Sequence, residues 1–176
     1  MSLKGKRVGI LVEQGYNEFE VWYPFYRFKE EGADVKVIGT GSSDTYESKV
    51  GLPIRPDVTA DQVSAGEFDA VIIPGGWAPD YLRRYDSVLK LVRDVYQKNK
   101  VVASICHGGW VLASSGILKG KRVTCFFAIK DDVRNAGAEY VDQEVVRDGN
   151  LITSRKPEDL PAFCREIIGA LNEMSR

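Results

Sequence analysis

The chain of 176 residues sets 24 Lys and Arg against 25 Asp and Glu, a net charge of −1, and holds one histidine, His107. That balance, with no basic run, argues against nucleic acid or an anionic membrane surface as main partner, and a lone imidazole excludes a zinc centre built on several histidines. The length fits one domain at roughly 150 residues per domain, and 44% hydrophobic with 28% charged residues is ordinary globular composition.

In chain order, Arg7 to Val12 reads as a strand, nearly continuous in apolar character as a strand buried on both faces must be. Residues 1–5 are expected to stand outside the fold, and Met1 to Arg7 is too short and polar to be a targeting segment. Phe19 to Glu31 has helical period through Val21, Trp22, Phe25 and Phe28, with Pro24 in the early turns and Gly32 after the end. Asp34 to Ile38 is a second strand and Gly39 to Asp44 a loop, with no helix directly behind it to make a phosphate site. Glu47 to Asp57 reads as an irregular excursion with a short strand or two.

Asp69 to Ile73 is another buried strand, stopped by Pro74, Gly75 and Gly76. Asp86 caps a helix running to about Asn99 on Val88, Leu91, Val92 and Val95. Lys100 to Ile105 is a strand, His107 to Ser115 a helix ended by Gly116, Arg122 to Phe126 a strand, and Ile129 to Ala136 a helix ended by Gly137. Glu144 to Arg147 and Leu151 to Ser154 flank Asp148-Gly149-Asn150, a hairpin signal, and Pro157 to Met174 closes the chain as an amphipathic helix. Strands alternating with helices predict a single α/β domain, a doubly wound, mainly parallel sheet with helices on both faces. The longest apolar runs, Ala70 to Pro74 and Val101 to Cys106, fall far short of the ~18 to 20 residues of a membrane span.

Three cysteines without a CxxC pair make neither a disulfide framework nor a zinc ribbon, so free thiols in a reducing cytoplasm are expected. Cys125 within a strand and Cys164 on an apolar helix face read as core. Cys106 stands differently, between a strand and the small residues that open a helix, at the carboxyl end of a strand where open α/β sheets bind ligands. A sharp turn there lifts a nucleophile out of the sheet, needs small neighbours such as Gly108, and aims a positive helix end that favours thiolate. His107 follows directly and is the one imidazole available as base. Gly75 and Gly76 leave amides free near a ligand, one of which pairs with the amide of His107 as an oxyanion site. Glu20, at the start of the first helix, is placed to hydrogen-bond the thiol with a raised pKa, although a helix-start acid is the plainer reading and Glu13 and Glu18 compete for the role. Lys130, Asp131 and Asp132 read as a solvated helix start. No metal and no cofactor is expected.

Glu20 in its helix, Pro74-Gly75-Gly76 with Ala78-Pro79-Asp80, the run Ala103 to Gly108, Ile129 to Asp132 and Asp148-Gly149-Asn150 together resemble the PfpI/ThiJ superfamily, of class I glutamine amidotransferase-like fold, and most closely its intracellular protease branch. The resemblance spans roughly Lys6 to Leu171 and implies a flavodoxin-like scaffold. It implies Cys106 as nucleophile, His107 as its partner, Glu20 as the acid at the sulfur, and the amides near Gly76 and His107 as the oxyanion site. It also implies that an acid orienting His107 comes from a neighbouring subunit of a homo-oligomer, at the place of Asp80, a shorter carboxylate than the family's glutamate. Trp77 replaces an Arg, Gly109 and Trp110 replace Pro and a polar residue, and Phe126 replaces a Tyr, which makes the pocket more apolar and narrower. The expected activity is that of a cysteine peptidase or amidase acting on a peptide or small carbonyl compound. The alternatives are a glutathione-independent glyoxalase or deglycase using Cys106 and Glu20, and a redox-sensing stress protein.

Overall fold

The computed structural model describes residues 2–174. The strands are β1 (Arg7–Leu11), β2 (Asp34–Gly39), β3 (Tyr46–Glu47), β4 (Pro53–Ile54), β5 (Val58–Thr59), β6 (Ala70–Ile73), β7 (Val101–Ile105), β8 (Arg122–Val123), β9 (Glu139–Tyr140), β10 (Val145–Asp148) and β11 (Leu151–Ser154). The helices are α1 (Glu18–Glu30), α2 (Ala78–Leu82), α3 (Asp86–Gln97), α4 (Gly109–Ser115), α5 (Lys130–Asn135) and α6 (Leu160–Glu173). Seven strands form one sheet in the order β10-β11-β7-β6-β1-β2-β5, parallel throughout except for the β10–β11 hairpin.

This order gives the doubly wound architecture a physical reason. From β1 the chain crosses through α1 to β2 on one side, and from β6 it crosses through α3 to β7 on the other. Right-handed crossovers in opposite directions place α1 and α3 on opposite faces. α6 packs against α1, and α4 packs against α2, α3 and α5, so both faces are covered. The covered strands are apolar and buried along their length, as at Val71, Ile72 and Ile73 in β6 and Val102, Ala103 and Ile105 in β7, all at 0% exposure. The reversal of strand order falls between β1 and β6, and the crevice outside their carboxyl ends is where such sheets place a site.

Three expectations are corrected. Leu3 is fully buried and its amide donates to the Glu31 carbonyl, so residues 2–5 belong to the fold, Met1 lying outside the described residues. The strand expected over Arg122 to Phe126 stops at Val123 and pairs with β9 in a separate two-stranded ribbon. The reason lies in its next amides: Thr124 donates to Thr153 Oγ1 and Phe126 to the Cys106 carbonyl, turning the chain across the end of β7. The helix expected from His107 begins one tight helical turn later, at Gly109. The edge strand β5 and the five-residue helix α2 are too short to show a period, and neither was legible in the sequence. Among the described residues, no helix is long and apolar enough to cross a membrane.

Candidate active site

β7 delivers Cys106 to the crevice in the left-handed backbone region at φ 61°, which a non-glycine residue adopts only when its surroundings hold it there. Small neighbours do so. A Cβ at Gly108 would lie 2.6 Å from both the Ile73 carbonyl oxygen and Ser104 Oγ, and one at Gly75 would lie 2.6 Å from Glu20 Oε2, 2.7 Å from Cys106 Cβ and 3.0 Å from the His107 amide nitrogen. No side chain fits at either position. The turn brings Cys106 Sγ to 3.3 Å from His107 Nδ1. The imidazole is held from two sides, stacked on Phe126 at 4.9 Å and edge-on to Trp110 at 5.1 Å between ring centres.

The second wall is the loop after β1, closed against the loop after β6. Tyr16 bridges Gly76, whose φ of 76° a glycine adopts freely; Asn17 N donates to the Gly75 carbonyl and Trp77 N to the Gly15 carbonyl. Asn17 Oδ1 caps α1 by accepting from the amides of Phe19 and Glu20, and this fixes the first turn that carries Glu20. Glu20 is fully buried. Its Oε2 accepts from the Gly75 amide at 2.6 Å, whereas its Oε1 is buried with no hydrogen-bond partner. The Gly75 amide, expected as an oxyanion donor, is therefore already engaged. The amides of His107 and Gly76 are instead the backbone groups that favour charge on the sulfur. Of the competing acids, Glu13 is occupied by Thr40 Oγ1, by Ser42 Oγ at 2.7 Å and by the Gln14 amide at 2.8 Å. Glu18 keeps Oε2 buried and unpartnered in the first turn of α1.

Burial dominates the electrostatics. It pushes the Glu20 carboxyl up to about 7, against the Gly75 amide, the thiol and the more distant charge of Lys49, all of which favour the carboxylate. It also pushes the Cys106 thiol up to about 12, the Glu20 carboxylate adding to the rise and the two amides opposing it. Burial beside a carboxylate thus works against the thiolate expected from a helix end, with the amides of His107, just before α4, and of Gly76, in the loop after β6, acting the other way. His107 is lowered, by burial first and by Lys49 second, and so is neutral at neutral pH and able to take a proton.

Asp80 does not reach His107 within one chain. It is exposed in the first turn of α2, ion-paired with Arg84, and among the described residues no hydrogen bond joins it to the imidazole. Phe126 lies across the imidazole, and Trp77, next to Gly76, is 63% exposed. Cys125 and Cys164 are buried and free. Two residues near the site carried no sequence signal. Asp132, read as solvated, accepts from Trp110 Nε1 at 3.1 Å and so steadies the ring against His107. Lys49, in the hairpin between β3 and β4, holds its Nζ 5.5 Å from the centre of the Trp77 ring. Among the described residues, no group of three or more His, Cys, Asp or Glu is placed to hold a metal ion.

The comparisons agree with this geometry. A family model described as the DJ-1/PfpI family matches residues 6–170. A Thermococcus kodakarensis protein named Deglycase TK1284 is 42% identical over 165 residues, 94% of this chain and 99% of that one. A Bacillus subtilis protein named Putative cysteine protease YraA is 37% identical, over 94% of this chain and 98% of that one. A crystal structure of a two-domain Anabaena variabilis protein, with DJ-1/ThiJ/PfpI-like and ferritin-like domains, superposes with a TM-score of 0.92 at 43% identity. That superposition covers 94% of this chain and 48% of the Anabaena chain, about half its length.

Proposed function

The chain belongs to the DJ-1/PfpI family, and from that premise we propose that it is a cysteine-dependent enzyme that adds Cys106 to the electrophilic carbon of a small 2-oxoaldehyde or of its adduct, as a glutathione-independent glyoxalase or deglycase. The observation that carries this reading is Glu20, a buried carboxyl beside the thiol whose pKa of about 7 lets it give and take a proton at neutral pH. Two relatives support it by name, Deglycase TK1284 and an Escherichia coli protein named Protein/nucleic acid deglycase 2, 39% identical.

The steps balance. The sulfur attacks the aldehyde carbon as its proton passes to the Glu20 carboxylate or to His107 Nδ1, and the oxygen receives the carbonyl electron pair beside the amides of Gly76 and His107. That proton passes on to the oxygen to complete the hemithioacetal, and Glu20, a carboxylate again, removes the hydrogen of that carbon as a proton and returns it to the neighbouring ketone carbon while the hydroxyl proton moves to the ketone oxygen. A thioester of a 2-hydroxy acid results. Water, deprotonated by neutral His107, breaks the carbon–sulfur bond, so one water is consumed and the thiol is restored. A glycated amine or thiol enters by the same route, leaving when the sulfur takes its place. The first test is lactate formation from methylglyoxal without added glutathione. Loss in both Cys106→Ala and Glu20→Gln is expected, and activity surviving either change removes the reading.

A second reading, a cysteine peptidase or amidase, is favoured by the 3.3 Å approach of Sγ to His107 Nδ1 and by the name of the Bacillus subtilis relative. It stands second because the imidazole meets Phe126 and Trp110 rather than a carboxylate within one chain, so its orienting acid has to be Asp80 of another copy in a homo-oligomer. Redox sensing is the least favoured, since it needs an exposed thiol of low pKa and this one is buried and held up to about 12. Three free cysteines suit a reducing compartment such as the cytoplasm.

A further inference from the structure

Lys49 is an exposed cation beside the site to which the proposed reaction assigns no contact with substrate. Its backbone is fixed: its amide donates to the Tyr16 carbonyl at 2.9 Å, Ser48 bridges Tyr16, and Ser48 Oγ accepts from the amides of Val50 and Leu52. Tyr16 in turn bridges Gly76, whose neighbour Gly75 packs against Cys106 Cβ and whose amide favours charge on the sulfur. The hairpin thus hangs Lys49 beside the loop that forms the oxyanion wall. Its Nζ leans over the exposed Trp77 ring, and among the described residues no carboxylate forms an ion pair with it.

A lysine that lies over an aromatic face and, among the described residues, forms no ion pair gains little there and is able to meet an anion. Its charge favours the carboxylate of Glu20 and the neutral form of His107, which places its field within the site. We propose that Lys49, with Trp77 as the floor beneath its chain, is the specificity-determining residue for a carboxylate carried by the substrate next to its reactive carbon. The substrate class is then a carboxylate-bearing carbonyl compound, such as an adduct with a free carboxyl end. This inference deepens the reading of Cys106 as a nucleophile for carbonyl carbon, and it rests on that reading only for the carbonyl. The recognition of the anion belongs to Lys49 itself.

The test compares alkylation of Cys106 by iodoacetate and by iodoacetamide, followed by peptide mass spectrometry so that Cys125 and Cys164 do not contribute. In each reaction a carbon–sulfur bond forms as iodide leaves. The two reagents differ in one carboxylate, so the ratio of their rates cancels any change in thiol ionisation. In the wild-type protein the ratio is expected to exceed that of a free thiol by about fivefold at low ionic strength, and to fall as salt screens the charge. Lys49→Gln should lower it to the free-thiol value and Lys49→Arg should keep it. An equal ratio in wild type and Lys49→Gln overturns the proposal. Lactate formation from methylglyoxal, which carries no charge, separates the two claims. Turnover with an unmoved ratio removes only the anion site. A ratio that falls in Lys49→Gln without any turnover keeps the anion site and removes the glyoxalase reading.

Discussion

Glu20 carries the proposed chemistry, and its environment has a consequence for stability. With the folded carboxyl held at about 7 against an ordinary value of 4.5, the native protein keeps a proton that the unfolded chain has released across that window. Stability contributed by this proton is complete below pH 4.5 and is lost as pH rises through about 7, a fall of about 3 kcal/mol at about 1.36 kcal/mol per pH unit. Urea unfolding across that range should show wild type losing about 3 kcal/mol more than Glu20→Gln. Equal slopes would mean that the carboxyl titrates normally. Spacing alone placed Glu20 near a carboxyl end without choosing between Glu20, Glu13 and Glu18, and it was the family resemblance that pointed to Glu20. Thr40 and Ser42, which occupy Glu13, and Gly75, which binds Glu20, are distant in the chain.

At the scale of elements, the strand-to-helix turn from β7 into α4 is the most constrained segment. Gly108 sits where a methyl group would meet the Ile73 carbonyl oxygen at 2.6 Å, and that backbone atom of a central strand has nowhere to move. Gly108→Ala should therefore lower stability by about 1–3 kcal/mol and displace the sulfur from His107. Thermal unfolding checks the first effect and the iodoacetamide rate at Cys106 the second. An unchanged melting temperature would show that the turn relaxes. This turn was legible because a buried strand, a cysteine and glycines follow one another without a gap. The ends of neighbouring elements were not: β8 stops at Val123 because Thr153 and the Cys106 carbonyl take the next free amides, and those partners come from other strands.

The whole molecule brings three loops together, after β1, β6 and β7, at the place where the strand order reverses. It also leaves Asp80 of α2 outside, ion-paired with exposed Arg84 just beyond the helix end. If the peptidase reading holds, Asp80→Ala should lower peptide turnover at least tenfold in the assembled oligomer and leave the dissociated chain unchanged. Turnover measured across the concentrations at which sedimentation shows assembly checks this, and equal turnover at every concentration would end the trans-subunit role. The amino-acid sequence by itself determined the alternation of buried strands and helices, the parallel sheet and the cysteine at a strand end, because those follow from local period and from neighbours along the chain. Only the tertiary structure decided that the Gly75 amide is taken by Glu20, that Thr40 and Ser42 take Glu13, and that Lys49 lies over Trp77. Burial and long-range hydrogen bonds set those choices, and both depend on groups that only folding brings near.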